Sequence, residues 1–226
     1  QQIQYSTLGY GTILGPGMLS SNIAQATSSL IVGLKSKNKD LKQLALSSSA
    51  TAFMGGNLKD TYFKLKEYAK SNNKIISFDA NYRESLFGNN KEEFIKCCKE
   101  FIVDSNIVKL SEEEAKLISG IEDIKEASQY IVNLGCENLM VTLGKEGTLL
   151  SNREKQILIK TKEVKMKDAT GAGDAFIGAV IAQILNEPGK SMEKIVEMAN
   201  LVGGITTTKL GALESIPTWD EVFAYN

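Results

Sequence analysis

The run Asp168-Ala169-Thr170-Gly171-Ala172-Gly173-Asp174-Ala175-Phe176 places two glycines and a carboxylate where a helix is expected to begin. Ile177, Val180, Ile181, Ile184 and Leu185 follow at i, i+3, i+4, i+7 and i+8, which predicts an amphipathic helix starting near Asp174. The first N–H groups of a helix have no internal partner and carry partial positive charge. Glycines let that backbone come close to an anion. An aspartate beside such an anion hole is placed to take a proton. Together these features suit phosphoryl transfer to a hydroxyl group, with Asp174 as base and the N–H groups of Gly171, Ala172 and Gly173 receiving the developing charge. A second reading stays open from sequence alone: a plain tight turn, with Asp174 as the helix cap. A dinucleotide fingerprint is disfavoured, because its third glycine would fall at position 176, where Phe176 stands, and no GxxxxGK[ST] loop is present.

Other polar residues carry chemistry of their own. Phe78-Asp79-Ala80-Asn81-Tyr82-Arg83 closes a strand-like run with a polar cluster. Arg83 could pair with Asp79 or Asn81 in a turn, or hold a sugar oxygen or the moving phosphoryl group. Ser111-Glu112-Glu113-Glu114 fits a capping box. Lys109, just upstream, could neutralise a triphosphate or point to solvent. Thr142-Leu143-Gly144-Lys145-Glu146-Gly147 reads as strand, turn, strand. The chain has no histidine, which excludes Ser-His-Asp and Cys-His machinery, His-ligated zinc and a histidine base.

These residues need a frame, and the hydrophobic pattern supplies one. From residue 60 onward, strands and helices alternate. Asp60 is expected to cap a helix carrying Tyr62, Leu65 and Tyr68-Ala69 on one face. Strands are expected at 74–79, 106–110 and 138–143, and a hairpin at 147–151 and 156–160. Phe94, Cys97-Cys98 and Phe101-Ile102 mark a helix, as do 111–118, 124–134, 173–186 and 191–207. Such alternation implies βαβ units and a mostly parallel sheet covered on both faces. Ligands of such sheets sit at the carboxyl ends of the strands. Asp79, Lys109-Leu110-Ser111 and Thr142-Leu143-Gly144 fall at those ends.

Composition narrows the rest. The 226 residues, 42% apolar, suffice for one sizeable core and a single domain over 1–226. A net charge of −1 provides no basic field for nucleic acid or an anionic membrane, and no apolar run is long enough to span a bilayer. Three cysteines without zinc-like spacing suit free thiols in a reducing cytoplasm.

Taken together, these segments resemble the ribokinase-like (PfkB) carbohydrate kinases, most of all the bacterial fructokinases. Residues 168–176 are similar to the family's DTxGAGD motif. Residues 78–83 resemble the DPNxR stretch of fructokinases and 2-keto-3-deoxygluconate kinases, with Ala80 for proline, which implies that Asn81 and Arg83 face the sugar. Ser111 to Glu114 resembles NxxE, with Ser111 for asparagine, which implies that Glu114 organises Mg²⁺ through water. The TxGxxG resemblance assigns Thr142, Gly144 and Gly147 to the nucleotide site, where Lys109 is also expected to meet the triphosphate. Asn200 and the segment 203–212 resemble the stretch beside the adenine. Gly17-Met18-Leu19-Ser20-Ser21-Asn22-Ile23-Ala24 resembles GGxxxNxA, with Asn22 approaching the sugar or, equally, with Ser20 or Ser21 capping a helix. Asp168 and Thr170 resemble a monovalent-cation site of the kind that takes K⁺. The resemblance holds over residues 60–220.

It implies a three-layer α/β/α sandwich around a mostly parallel sheet. It also implies ATP and Mg²⁺ as partners of a small-molecule sugar, and allows a homodimer formed through a small β lid. The chain is short for the family, and the deficit, lid included, is expected before residue 45. Fructose, yielding fructose 6-phosphate, is the expected substrate. 2-Keto-3-deoxygluconate is the alternative, and a non-catalytic nucleotide- or sugar-binding relative is the rival class.

Overall fold

The structure, a computed structural model, describes residues 45–49, 53, 56–87 and 90–225. Asn22, the GGxxxNxA-like segment and the expected lid lie outside the described residues. Among the described residues six strands form one sheet in sequential order: β1 (Ala45–Ser49), β2 (Ile75–Asp79), β3 (Ile107–Ser111), β4 (Asn138–Thr142), β5 (Thr148–Ser151) and β6 (Gln156–Ile159). The first four run parallel, and β5 and β6 return antiparallel as the expected hairpin.

The crossovers between parallel strands are helical. They are α1 (Gly56–Ser71), then α2 (Glu84–Phe87) and α3 (Lys91–Ile102), then α4 (Glu112–Ser119) and α5 (Ile124–Leu134). Because crossovers are right-handed and the strand order is sequential, all of these helices cover the same face. After β6 the chain crosses to the other face as α6 (Ala172–Asn186) and α7 (Met192–Thr206), and α8 (Trp219–Ala224) is the last described helix. Three layers result, as expected.

Strand side chains alternate, so each face has its own core. Phe78, Val108, Leu110, Leu139 and Val141 pack with Phe94, Phe101, Ala115 and Ile131 from the crossover helices. Phe78 and Phe101 lie 5.2 Å apart between ring centres, with Phe53 and Phe63 completing the aromatic group. On the opposite face, Ile107, Met140 and Leu150 pack with Phe176, Val180, Val196 and Ala199 of α6 and α7.

One expected boundary moves. Asp60 does not cap α1, which begins at Gly56. The added turn carries Lys59, whose ammonium pairs with Glu93 of α3, a tertiary contact that holds the helix beyond the local capping signal. All three cysteines are free and buried. Burial raises each thiol pKa, that of Cys136 to about 12. Among the described residues no helix is long and apolar enough to cross a membrane.

Candidate active site

The site begins where α6 begins. Gly171 is the N-cap, at φ 81°, and the Ala175 N–H donates to its carbonyl at 2.8 Å. That left-handed turn suits glycine, and a Cβ at 171 would also come within 3.2 Å of the Ala212 Cα. Asp174 is therefore not the cap. It is the third residue of the helix, exposed, in the turn where the dipole favours a carboxylate.

Asp168 fastens this turn. Its Oδ1 accepts the Thr170 N–H at 2.9 Å and the Thr170 hydroxyl at 2.6 Å, and its Oδ2 accepts the Gly211 N–H at 3.0 Å. The Thr170 hydroxyl, followed by the two amides, holds the carboxyl below the usual carboxylate range.

Of the three amides expected to form an anion hole, that of Ala172 is already paired. The Ala172 N–H donates to the Ala169 carbonyl at 3.2 Å, because the turn closes a short loop there before the helix ladder starts. Among the described residues, the N–H groups of Gly171, Gly173 and Asp174 have no hydrogen-bond partner.

Beneath this turn lie two buried charges. The parallel register sets Asp79 opposite Lys109. The Lys109 ammonium donates to both Asp79 oxygens, at 3.2 and 3.3 Å. Asp79 is 5% exposed and Lys109 7%, so the lysine does not point to solvent. A Cβ on Gly173 would stand 2.8 Å from the Lys109 Nζ, so the second glycine of the turn leaves room for a cation. Burial pushes the Asp79 carboxyl up to about 6, against the pull of Lys109 and with help from Glu114 and Asp174. For Lys109, burial acts to lower the pKa, but Asp79, Glu114 and Asp174 outweigh it and leave the ammonium held more firmly than usual. At neutral pH both members of the pair are charged.

Glu114 joins two strand ends. The capping box is present: the Ser111 hydroxyl accepts the Glu114 N–H, and Glu114 Oε2 accepts the Ser111 N–H at 2.7 Å. Its Oε1 accepts the Tyr82 N–H at 2.6 Å. Both oxygens thus serve the backbone, which leaves one lone pair on each for a hydrated ion. The same bond fixes the loop after β2, where Asn81 takes φ 43°, a left-handed value asparagine tolerates. Arg83 is half-buried and has no ion-pair partner among the described residues, since Asp79 is committed to Lys109.

The residues expected on the nucleotide side form a separate group around β4 and β5. The Thr142 hydroxyl donates to the Leu110 carbonyl at 3.3 Å. Gly144 opens an exposed turn at φ 58°. Gly147 is demanded by the hairpin, because a Cβ there would lie 2.1 Å from the Ile159 carbonyl oxygen. Asn200 is not on a helix surface. It is buried in α7, accepting the Thr148 hydroxyl at 2.6 Å and donating to the Ile159 carbonyl at 2.9 Å.

Asp79, Lys109, Glu114 and the 171–174 turn therefore meet at the carboxyl edge of β2 and β3. Of these, only Asp79 was not among the expected site residues. The available signal was its place as the last residue of a strand beside one that carries a lysine. A cleft of about 780 Å³ opens at the opposite, amino edge, lined by residues such as Lys74, Asn106, Asn138 and Arg153. It contains none of the candidate residues, and open parallel sheets bind ligands at the carboxyl edge. Among the described residues no three acidic, cysteine or histidine side chains converge as a metal cage.

Known proteins are similar to this chain in sequence and fold. The model of the pfkB family of carbohydrate kinases matches residues 18–219. Fructokinase-1 of Oryza sativa is 34% identical over 173 residues, 73% of this chain and 52% of the relative. The chain spans about half the length of the curated relatives it matches. The fructokinase of Vibrio cholerae, solved with fructose, ADP and a calcium ion, superposes with a TM-score of 0.75 at 28% identity, covering 80% of this chain and 60% of that one. An uncharacterized sugar kinase of Pyrococcus horikoshii, solved with ATP, gives a TM-score of 0.68 at 32% identity, covering 80% and 57%. With its fold and its sequence in agreement, the chain belongs to the pfkB family of carbohydrate kinases.

Proposed function

We propose that this chain transfers the γ-phosphoryl group of ATP to a primary hydroxyl of a sugar, and that the sugar is fructose, giving fructose 6-phosphate. The observation that carries the reading is the set of unpartnered amides at Gly171, Gly173 and Asp174, with the Lys109 ammonium against Gly173. Few groups other than a phosphoryl oxygen suit three free N–H donors, a helix N-terminus and a buried cation at once.

In this reading Asp174 accepts the proton of the attacking hydroxyl. The free amides and Lys109 stabilise charge on the moving phosphoryl group as the bond to the leaving ADP oxygen breaks. Arg83 and Asn81 stand at the end of β2, where they would contact the sugar or the transferred group. Thr142, Gly144 and Gly147 shape the turn that would receive the nucleotide, and Asn200 supports that turn from behind through Thr148. Glu114 would hold Mg²⁺ through water, since the backbone already occupies one lone pair of each of its oxygens, and the ion would supply positive charge against the nucleotide's phosphates. K⁺ at Asp168 would have only the remaining lone pair of Oδ2, because Thr170 donates twice to Oδ1. Fructose is favoured by the DxNxR-like segment and by the fructokinases among the relatives.

The test is a coupled ADP-release assay with Mg-ATP and a panel of fructose, 2-keto-3-deoxygluconate, ribose, adenosine and fructose 6-phosphate. Preference for fructose supports the reading. Preference for 2-keto-3-deoxygluconate replaces the substrate and keeps the chemistry. Silence across the panel with ATP still bound removes the fructose assignment and favours a non-catalytic relative.

A further inference from the structure

We propose that Asp79 is a positioning residue: it holds the Lys109 ammonium under the free amides of α6, so that an arriving phosphoryl group meets a cation already in place. The inference rests on the kinase reading above.

Three observations lead to it. First, the pair is nearly inaccessible, with Asp79 5% and Lys109 7% exposed, yet the lysine tip lies against the Gly173 position at the mouth of α6. Second, Asp79 contacts Lys109 through both oxygens and makes no hydrogen bond to the free amides, so it acts through the lysine. Third, the pair is a poor choice for stability alone. A buried ion pair often does no better than a well-packed apolar pair of similar size, and the alternate residues of the same strands show that apolar packing is available here. What the pair does provide is a fixed location for a cation. A lysine has four rotatable side-chain bonds, and without a partner its ammonium would be free to turn toward Glu114 or Asp174, the other carboxylates that act on it. Asp79 removes that choice before substrate arrives.

The test is a double-mutant cycle in the full-length protein with Asp79→Asn, Lys109→Met and both together. Lys109→Met is expected to lower kcat by roughly 10²–10³-fold, as for one lost transition-state donor. Asp79→Asn is expected to lower it by about 10²-fold, as for a misplaced catalytic group. In the Lys109→Met background, Asp79→Asn is then expected to change kcat by no more than about twofold, the ordinary error of additivity. ADP affinity, read by direct titration, is expected to stay within the same factor in all three variants, because the cation serves the transferred group. Full multiplication of the two kcat losses, or an equal loss of ADP affinity, overturns the proposal and leaves Asp79 a structural residue. Should Asp79→Asn fail to fold, Asp79→Glu keeps the charge and moves it by one methylene, and the same non-additivity is required of it. If the wild-type protein phosphorylates no sugar, the kinase reading fails separately. The cycle is then read on ATP affinity, where Asp79→Asn must again lose its effect once Lys109 is Met.

Discussion

On β2 and β3, Phe78, Val108 and Leu110 face one layer of helices while Asp79 and Lys109 face the other. The strands are the same and only the parity of the position differs. The first face is filled with aromatic and aliphatic side chains that interlock with α3, α4 and α5. The second buries a carboxylate, an ammonium and, further along, Asn200 against Thr148. Burying polar groups is tolerated only where each finds a partner. Both faces thus carry an apolar core, but only the second also buries charge, at the carboxyl edge where the candidate site lies. Substitutions on the two faces should separate accordingly.

The largest separation is expected at Asp174. Asp174→Asn should lower turnover by about 10²–10⁴-fold, the worth of a positioned base. Its thermal midpoint should scarcely move, because the residue is exposed. Near-normal turnover would remove it as the base. Phe101→Ala tests the other face. It should cost about 3–5 kcal/mol in a denaturant titration. Nucleotide affinity of the folded fraction should be unchanged, and a specific loss of that affinity would show the two faces to be coupled.

A smaller effect is expected from pH. Asp79 lies above the ordinary carboxylate value in the fold, at about 6, so its contribution to stability is full below about pH 4 and is lost as pH rises through 6. Protonating it therefore does not weaken the fold, but it does remove the partner of Lys109 while Glu114 and Asp174 still attract the ammonium. Turnover should fall as pH drops through about 6 with circular dichroism unchanged, and Asp79→Asn should flatten that limb. The smallest effect is expected at Ser111→Ala, which removes one half of the capping box and should cost about 1 kcal/mol of stability. A larger loss of turnover than of stability there would mean that the cap also aims Glu114.

Much of this molecule is local and therefore legible in the chain. The alternation of strands and helices, the hairpin at β5 and β6, the capping box at Ser111 and the start of α6 all follow from spacings of two to four residues. The glycine turn at the start of α6 was recognisable because glycines and a helix onset are neighbours in sequence. The sequence did not reveal which amides are free, since the closure of Ala172 N–H on Ala169 depends on the turn's actual dihedral angles. Nor did it place Asn200, whose partners are 52 and 41 residues away.

The sequence by itself determined the layers, the sheet edge at which the candidate residues gather and the candidate base. Only the tertiary structure decided that Lys109 is buried rather than solvated, that Asp79 is its partner, and that Gly173 makes room for it. Secondary structure is set by periodicity within one segment. The Asp79–Lys109 pair is instead set by the register of two strands thirty residues apart and by the packing of a helix from the far end of the chain.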